Sequence, residues 1–368
     1  MIAASVAVPY DRQEPQIIVW YPHGRTLTRL PASIRILFLA VFLSCGLAVT
    51  RSQTATPVPA TPLSPITAIL DAFESHRVIA LSEGDHGNLQ GHAFRLALVR
   101  DPRFARTVND IVVEFGNSLY QAVIDDFVRG QPVPVDTLRR VWQNTTQPFA
   151  TFDLPIYEEF FRAVRAVNAS HPLENQLRVV LGDPPIDWGK IHTREEAFSW
   201  LAGRDSHPAD LISREVLAKG RRALVIYGGY HLIRKRPQGN GWQSLVNLVE
   251  HSTTPTNVFS VATNTEADLR VLQPAVAGWQ KPSLAMLRGT ALGAVDFNVY
   301  FPFEKGPWSI PMEEEFDALL YLGAPSEITH AELGPELCAD SSYRKMRTER
   351  LLLAGFRGDS LCAAADKK

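Results

Sequence analysis

Titratable side chains follow directly after four short apolar segments of this sequence. Glu83 and His86 follow RVIALS, Glu114 follows DIVV, Asp183 follows LRVVLG, and His231 follows ALVIYGGY. A carboxylate beside a buried apolar segment is costly unless it is solvated, paired or bound to a metal. Carboxylates and imidazoles placed together can transfer protons near neutral pH or bind a divalent cation. The pattern therefore predicts a site for acid–base or metal chemistry.

The order of these residues predicts that they share one crevice. If the apolar segments are parallel strands, their carboxyl ends meet at one edge of a sheet, which is where such sheets bind ligands. The crevice would hold Glu83, His86, Glu114, Asp183 and His231. The candidates for substrate binding are Asp183, Asp187, Tyr230 and His92.

Each of these residues also has a simpler structural explanation. Glu83 and Asp85 could stand at the start of a helix, where Asp is a good cap and acidic side chains interact favourably with the helix dipole. His86 could bond to a turn carbonyl. His92 falls on the apolar face of a predicted helix, which favours a hydrogen-bonded core histidine over a ligand. Only the shared placement of the set favours a functional site.

Alternating strands and helices predict the fold that positions these side chains. Apolar β-branched segments predict strands over 77–82, 110–115, 177–181, 223–227, 257–261 and 316–322. Helical spacing of apolar residues predicts helices over 66–76, 89–100, 118–129, 135–143, 155–168, 195–219 (broken near His207 and Pro208) and 241–250. This order predicts an α/β fold with a mainly parallel central sheet flanked by helices on both faces. The Gly- and Pro-rich stretch 273–311 is predicted to form loops.

Composition excludes several classes of protein. The 368 residues carry 37 Lys and Arg against 39 Asp and Glu, a formal net charge of −2, and the sequence pI is about 6.6. This balance gives no reason to expect binding to nucleic acid or to an anionic membrane surface. A mean hydropathy of −0.06 excludes a polytopic membrane protein. The sequence also lacks the GxGxxG, P-loop, HExxH and GxSxG motifs of common nucleotide-binding proteins, zincins and serine hydrolases.

Residues 1–53 are predicted to be a leader that lies outside the folded domain. Its apolar core, 36–49, carries no charge and follows Arg25, Arg29 and Arg35. The core is short for a bilayer span, and this layout is typical of a secretory signal peptide. An uncleaved anchor and a buried helix are the alternatives. We therefore expect an exported protein of the periplasm or cell envelope, with membrane contact only through this segment.

Three further segments complete the predicted organisation. Residues 54–65 form a Pro/Thr-rich linker, 66–330 form the α/β domain, and 331–368 form a carboxyl-terminal tail. The tail contains Cys338 and Cys362. In an oxidising compartment these two cysteines could close a disulfide, and the alternative is two free thiols.

Four sequence motifs resemble those of the erythromycin esterase family. ALSEGDHG resembles the family's Glu-x-x-His-Gly element, and GHAFRLALVRD resembles the helix after it. VVEFGNS resembles a strand that ends in a Glu, and VIYGGYHLIRK a late strand that ends in a pocket His. The resemblance covers residues 78–235. The related ChaN-type haem-binding and Tiki-type metalloprotease families have a similar Glu/His layout.

The resemblance implies an α/β hydrolase in which a histidine activates water for lactone hydrolysis without a metal. Carried over by motif, His86 is the general base, and Glu83 and Glu114 orient it or the water. His231 would then polarise the carbonyl or stabilise the oxyanion. Two departures are present: Ser82 replaces a Gly, and Gly-Gly-Tyr-His replaces the His-Asn-x-His of macrolide esterases. The second form is nearer to that of the metal- and haem-binding relatives.

Three functions are therefore compatible with the sequence. The first is an exported, cofactor-independent hydrolase of a small-molecule ester or lactone. The second is a hydrolase that depends on Zn²⁺, Mn²⁺ or Fe²⁺ held by Glu83, His86, Glu114 and His231. The third is a non-enzymatic haem- or metal-binding protein of the cell envelope, with haem ligands among His86, His92 and His231.

Overall fold

A seven-stranded sheet crosses the part of the chain that the computed structural model describes, residues 57–235, 243–266, 269–300 and 309–356. The strands are β1 Val78–Ser82, β2 Asp110–Asn117, β3 Arg178–Asp183, β4 Ala223–Tyr227, β5 Val258–Thr263, β6 Ser283–Met286 and β7 Ala318–Tyr321. Their spatial order is β3-β2-β4-β1-β5-β7-β6, and neighbouring strands are parallel except β6 and β7. The predicted α/β fold with a mainly parallel sheet is confirmed.

Helices pack against both faces of the sheet. Their bounds are α1 Pro65–Ala72, α2 Leu89–Arg100, α3 Phe104–Thr107, α4 Gln121–Val128, α5 Val135–Gln143, α6 Pro155–Asn168, α7 Arg194–Leu201, α8 Ser206–Leu211, α9 Leu245–Glu250, α10 Leu269–Val276, α11 Phe297–Tyr300, α12 Met312–Glu315, α13 Pro335–Ala339 and α14 Ser341–Leu353. Successive residues of a strand point to opposite faces, so the core forms two apolar clusters. Ile79 and Leu81 join α2 and α6 in one cluster, whereas Val78 and Ala80 join α8 and α9 in the other. Burial on both faces explains why these strands are unbroken apolar runs.

The register of the strands β2, β4 and β1 places the candidate residues at the same level along the strand direction. Strand β4 lies between β2 and β1, and Ile226 pairs with both Val113 and Leu81. The backbone N–H of Glu83 donates to the Tyr227 carbonyl at 2.8 Å, which extends the β1–β4 ladder by one residue. Side chains that follow these three strands therefore emerge side by side at the carboxyl edge of the sheet.

The helical segment 195–219 is broken as predicted, but the break lies before His207 and Pro208 rather than at them. The chain leaves the helical path between α7 and α8, at 202–205, and His207 and Pro208 lie inside α8. Pro208 is the third residue of α8, where the missing N–H costs nothing because the first turn of a helix leaves its N–H groups unpaired. His207 is half-buried, with its Nε2 2.9 Å from the Ser118 hydroxyl.

Two further elements differ from the predictions. The supposed loop region 273–311 contains β6, which pairs antiparallel with β7 at the edge of the sheet. Its four residues are too few to show an alternating pattern. The helix expected over 241–250 begins at Leu245, because the Ser244 hydroxyl accepts the Asn247 N–H and caps it there. Residues 241 and 242 lie outside the described part of the chain.

Several predictions concern residues outside the described ranges. The leader 1–53, with its apolar core 36–49, is among them, and so is Cys362. Cys338 in α13 is disulfide-bonded, and its pairing with Cys362 stays a prediction. Within the described ranges, no helix has both the length and the apolar character to span a bilayer.

Helix α14 is anchored to the domain by a buried ion pair. The side chain of Arg347 is 2% exposed and donates from Nε to Asp153 at 2.8 Å. A terminal nitrogen of Arg347 and the hydroxyl of Tyr343 bond to the same carboxylate. One turn later, Arg350 donates to the Gln143 carbonyl at 2.7 Å. The helix therefore binds both ends of the segment that joins α5 to α6.

We expect Arg347→Met to lower the free energy of unfolding by about 3–5 kcal/mol, because Asp153 would stay buried without its partner. Urea denaturation followed by circular dichroism measures the change. Lys345→Met is the matched control on the same helix, since the Lys345 side chain is 77% exposed. Its effect should stay within about 0.5 kcal/mol. Equal stability of the two variants would show that the ion pair does not hold α14 in place.

Candidate functional site

The turn after β1 directs Glu83 and His86 toward one point. Gly84 has a φ of +73°, a left-handed conformation that favours glycine, and a Cβ there would lie 2.0 Å from Thr265 Oγ1. The Asn88 side chain closes the turn: Nδ2 donates to the Glu83 carbonyl at 2.9 Å, and Oδ1 accepts from the first turn of α2 at 2.6 Å. The turn is therefore defined by local hydrogen bonds and by a position that only glycine fits.

Glu83 is fully buried and its two oxygens bond to different partners. Oε1 accepts from Arg95 at 3.3 Å, and Oε2 accepts from His86 Nδ1 at 3.0 Å. Burial acts to raise the pKa of Glu83, but the charge of Arg95 and the bond to His86 hold the pKa below its usual range. Glu83 is thus ionised at neutral pH, and because a carboxylate only accepts, Nδ1 of His86 carries a proton.

His86 combines a buried partner with access to solvent. Its side chain is 30% exposed, and the ring meets Phe152 edge to face with 5.2 Å between centroids. Burial acts to lower the pKa of His86, but the carboxylates of Glu83 and Glu114 raise it to about 9. The free protein therefore holds His86 as an imidazolium at neutral pH.

Glu114 on β2 is the second buried carboxylate. Its Oε2 accepts the Gly228 N–H at 2.8 Å, and its Oε1 accepts from the Arg204 guanidinium. Burial acts to raise the pKa of Glu114, but the charges of Arg204, His231 and His86 lower it to about 2. Glu114 is therefore ionised at every pH at which the protein is expected to work.

The first three candidate residues converge in the folded chain. Glu83, His86 and Glu114 each offer a ligand atom, and these atoms lie within 4.8 Å of one another. A Cβ added to Gly228 would lie 3.5 Å from Glu114 Oε2 and 3.6 Å from His86 Cε1, so Gly228 borders the space between them.

His231 completes the cluster from the short 3₁₀ helix Gly229–Leu232. Its Nδ1 lies 2.7 Å from Asp205 Oδ1, and its Nε2 lies 3.6 Å from Glu114 Oε1. The ring packs edge to face on Tyr227, and the side chain is 12% exposed. The site thus contains two histidines, each oriented by its own carboxylate through Nδ1.

Sequence reasoning missed Arg204 and Asp205. Both lie in the turn between α7 and α8, and adjacent positions there supply the partner of Glu114 and the partner of His231. Asp205 also accepts the Leu245 N–H at 2.9 Å, which ties the turn to the start of α9. The one sequence signal was the interruption of a helical pattern, and that signal carries no information about chemistry.

Asp183 ends β3 beside β2, close enough for the charges of Arg204 and Glu114 to act on it, but its described hydrogen bonds go to Thr146. Its oxygens accept from the Thr146 backbone N–H at 2.7 Å and from the Thr146 hydroxyl at 2.5 Å. Burial raises the pKa of Asp183 to about 7, although Arg204 and Thr146 act in the opposite direction. The described contacts of Asp183 hold the segment around Thr146 against the sheet.

The remaining predicted residues lie elsewhere or have local partners. Asp187 begins a 3₁₀ helix, where it accepts the Gly189 N–H and pairs with Lys190, so it acts as a cap. His92 is buried in α2 with its Nε2 3.0 Å from Glu159. Tyr230 is half-buried next to His231 in the chain. Of the predicted set, the fold brings together Glu83, His86, Glu114 and His231.

Glu83, His86 and Glu114 form a possible metal site, but an arginine competes with a metal ion for each carboxylate. The orientation of His86 and His231 by carboxylates is typical of metal-binding histidines. Both oxygens of Glu83 and of Glu114 are nevertheless occupied, one of each by an arginine. A metal ion bound at Oε1 of Glu114 would have to displace Arg204.

The surroundings of His86 do not suit haem. A porphyrin needs a largely apolar slot, whereas the ring of His86 is bordered by Glu83, Glu114 and Arg204. The side chain of His92 is buried and bonded to Glu159, so it would have to move out of the core and break that bond before it could bind iron.

Comparisons with known proteins show likeness at the level of fold. No protein-family model matches the sequence, and no curated protein matches it. The structure of a succinoglycan biosynthesis protein aligns with a TM-score of 0.53 and 10% identity, over 75% of this chain and 96% of that one. A Bacillus cereus protein aligns with a TM-score of 0.48 and 11% identity, over 75% of this chain and 97% of that one. The structure of ChaN of Campylobacter jejuni with cofacially bound haem aligns with a TM-score of 0.39 and 13% identity, over 71% of this chain and 93% of that one. The resemblance to the esterase family stays a prediction.

We expect Asp183→Asn to remove part of the pH dependence of stability. The pKa of Asp183 rises from 3.8 to about 7 on folding, so folding favours its protonated form. The wild type should lose stability relative to the variant as pH rises from about 4 to 7, by about 1.4 kcal/mol for each unit of pKa difference. Urea denaturation of both proteins at pH 4.5 and at pH 7.5 measures this difference. A constant difference between the two proteins would contradict a raised pKa in the folded state.

Proposed function

We propose that this protein hydrolyses an ester or lactone of a small molecule, with His86 as the general base that activates water. The observation that carries the proposal is the Glu83–His86 pair. A buried carboxylate bonds Nδ1 at 3.0 Å, while the ring stays accessible to solvent. A carboxylate in this position fixes the tautomer of a catalytic histidine and stabilises its imidazolium.

In the proposed reaction, neutral His86 takes one proton from a water molecule as the water oxygen bonds to the carbonyl carbon. The carbon–oxygen bond to the alcohol then breaks, and the imidazolium returns its proton to the leaving oxygen. An ester yields a carboxylic acid and an alcohol, and a lactone yields a hydroxy acid. Glu83 stays ionised throughout and bonds Nδ1–H at each stage.

His231 is proposed to act on the carbonyl oxygen. Asp205 orients the ring through Nδ1 at 2.7 Å, so Nε2 is directed toward the space beside Glu114, 3.6 Å away. As a hydrogen-bond donor at this point, His231 would stabilise the oxyanion that forms as water adds. A donor already held in place stabilises that charge without reorganisation in the transition state.

A metal-dependent hydrolase is the second candidate function, and the carboxylate-oriented histidines favour it. The arginines on the two carboxylates favour the metal-independent reaction instead. Activity that survives exhaustive chelation supports the first candidate, and activity that returns only with added metal supports the second. The apolar segment 36–49 is the reason for proposing export to the cell envelope as well.

We expect His86→Gln to lower kcat/KM by about 10²- to 10⁴-fold, because the variant lacks the general base. A panel of p-nitrophenyl esters and simple lactones provides the assay, and circular dichroism shows whether the variant is folded. His251→Gln replaces an exposed histidine and should keep full activity. A folded His86→Gln protein with wild-type turnover would remove His86 from the reaction.

The pH profile tests the role of His86 separately. With its pKa raised to about 9, the neutral base is the minor form at pH 7, so kcat/KM should rise with pH and level off above about 9. Glu83→Gln removes the charge that raises the pKa of His86, so the rising limb should move to lower pH. Initial rates corrected for spontaneous hydrolysis give both profiles. A kcat/KM that falls as the pH rises through 9 would mean that His86 acts as an acid.

A further inference from the structure

We propose that Arg204 occupies the place of a divalent cation in this site, and that removing its guanidinium turns the site into a metal-binding one. The ligand set would be His86, His231 and Glu114. This inference does not require the ester hydrolysis proposed above, because it concerns which cation the cluster accepts.

The two histidines are already oriented as metal ligands. His86 bonds Glu83 through Nδ1 at 3.0 Å, and His231 bonds Asp205 through Nδ1 at 2.7 Å, so each has Nε2 as its second nitrogen. Metal-bound histidines almost always donate their other N–H to a carboxylate or carbonyl in this way. Two imidazoles and one carboxylate form a set that suits zinc, iron or cobalt.

Glu114 lies within reach of both histidines. His231 Nε2 lies 3.6 Å from Glu114 Oε1. Bonds of about 2.0–2.1 Å at tetrahedral angles place two zinc ligands roughly 3.3 Å apart. Ligand atoms of His86, Glu114 and Glu83 lie within 4.8 Å of one another, and that group does not include His231. To close the proposed set around one ion, the two imidazoles would therefore have to move toward each other beside Glu114.

Arg204 stands in the way of such an ion. It donates to Glu114 Oε1, the same oxygen that faces His231, and the Gly228 N–H occupies Oε2. With its amide oxygen turned to the guanidinium, Gln147 accepts from both terminal nitrogens of Arg204 at 3.0 and 3.2 Å. A metal at Glu114 would have to break this arrangement and then remain beside a positive charge.

The experiment titrates the full-length protein, first treated with chelator, with Co²⁺ and follows the visible absorption of the bound ion. Calorimetry with Zn²⁺ gives the affinity and the stoichiometry. We expect no stoichiometric site in the wild type. Arg204→Gln should bind one ion per chain at least about 100-fold more tightly than the wild type does.

Three controls make the result specific to this cluster. Glu114→Gln in the Arg204→Gln background should abolish the gained site. Arg204→Lys keeps the positive charge and should not gain it. Arg162→Gln removes an exposed arginine that pairs with Glu158 on α6, and it should behave as the wild type. Arg204→Ala is the second variant if Arg204→Gln does not fold.

Two results would overturn the proposal. One is stoichiometric Co²⁺ binding by the wild type that Glu114→Gln abolishes, because Arg204 would then not exclude the metal. The other is a folded Arg204 variant that binds no more tightly than the wild type. Hydrolysis by the metal-free wild type is assayed separately, so failure of the proposed activity leaves the binding result interpretable.

Discussion

Charge balance around two buried carboxylates is the constraint on which the site depends. Glu83 follows β1 and Glu114 lies on β2, on either side of β4 in the sheet, and each carboxylate would be unstable there alone. Arg95 reaches the first from α2, and Arg204 reaches the second from the turn between α7 and α8. Because both arginines must be in position for the carboxylates to stay ionised, the two faces of the sheet have to be packed before the site exists.

Both histidines are bonded to a carboxylate through Nδ1, but their surroundings differ. His86 is the more exposed, and two carboxylates act on it, so its pKa is raised to about 9. His231 is more enclosed, and Asp205 ties it to the start of α9. One ring is therefore placed to exchange protons with solvent, whereas the other is held as a fixed part of the wall. This difference is the physical basis for giving the two residues different roles.

One wall of the site depends on the carboxyl-terminal helix. The segment between α5 and α6 brings Phe152 against His86, Gln147 against Arg204 and Thr146 against Asp183. Helix α14 binds this segment at both ends, most strongly through the buried pair of Arg347 with Asp153. Residues near the end of the chain thus determine the position of groups that touch the candidate base.

The strands, their parallel arrangement and the meeting of Glu83, His86, Glu114 and His231 could be predicted from the sequence. A buried strand requires a short apolar run, and the residue after it is a local feature, so both are visible along the chain. The antiparallel edge strand and the exact helix break were not predicted, because neither produces a periodic pattern.

The partners that give the site its chemistry were decided by the tertiary structure alone. Arg204 lies 90 residues from Glu114, and Asp205 lies 26 residues from His231. Asp183 follows a strand as the other candidates do, yet its side chain turns to Thr146. No local pattern encodes such pairings, because they depend on how α7 and α8 dock against the end of the sheet. The sequence by itself therefore determined which titratable groups reach this edge of the sheet. Packing decided which of them pair with one another and with Arg204 and Asp205.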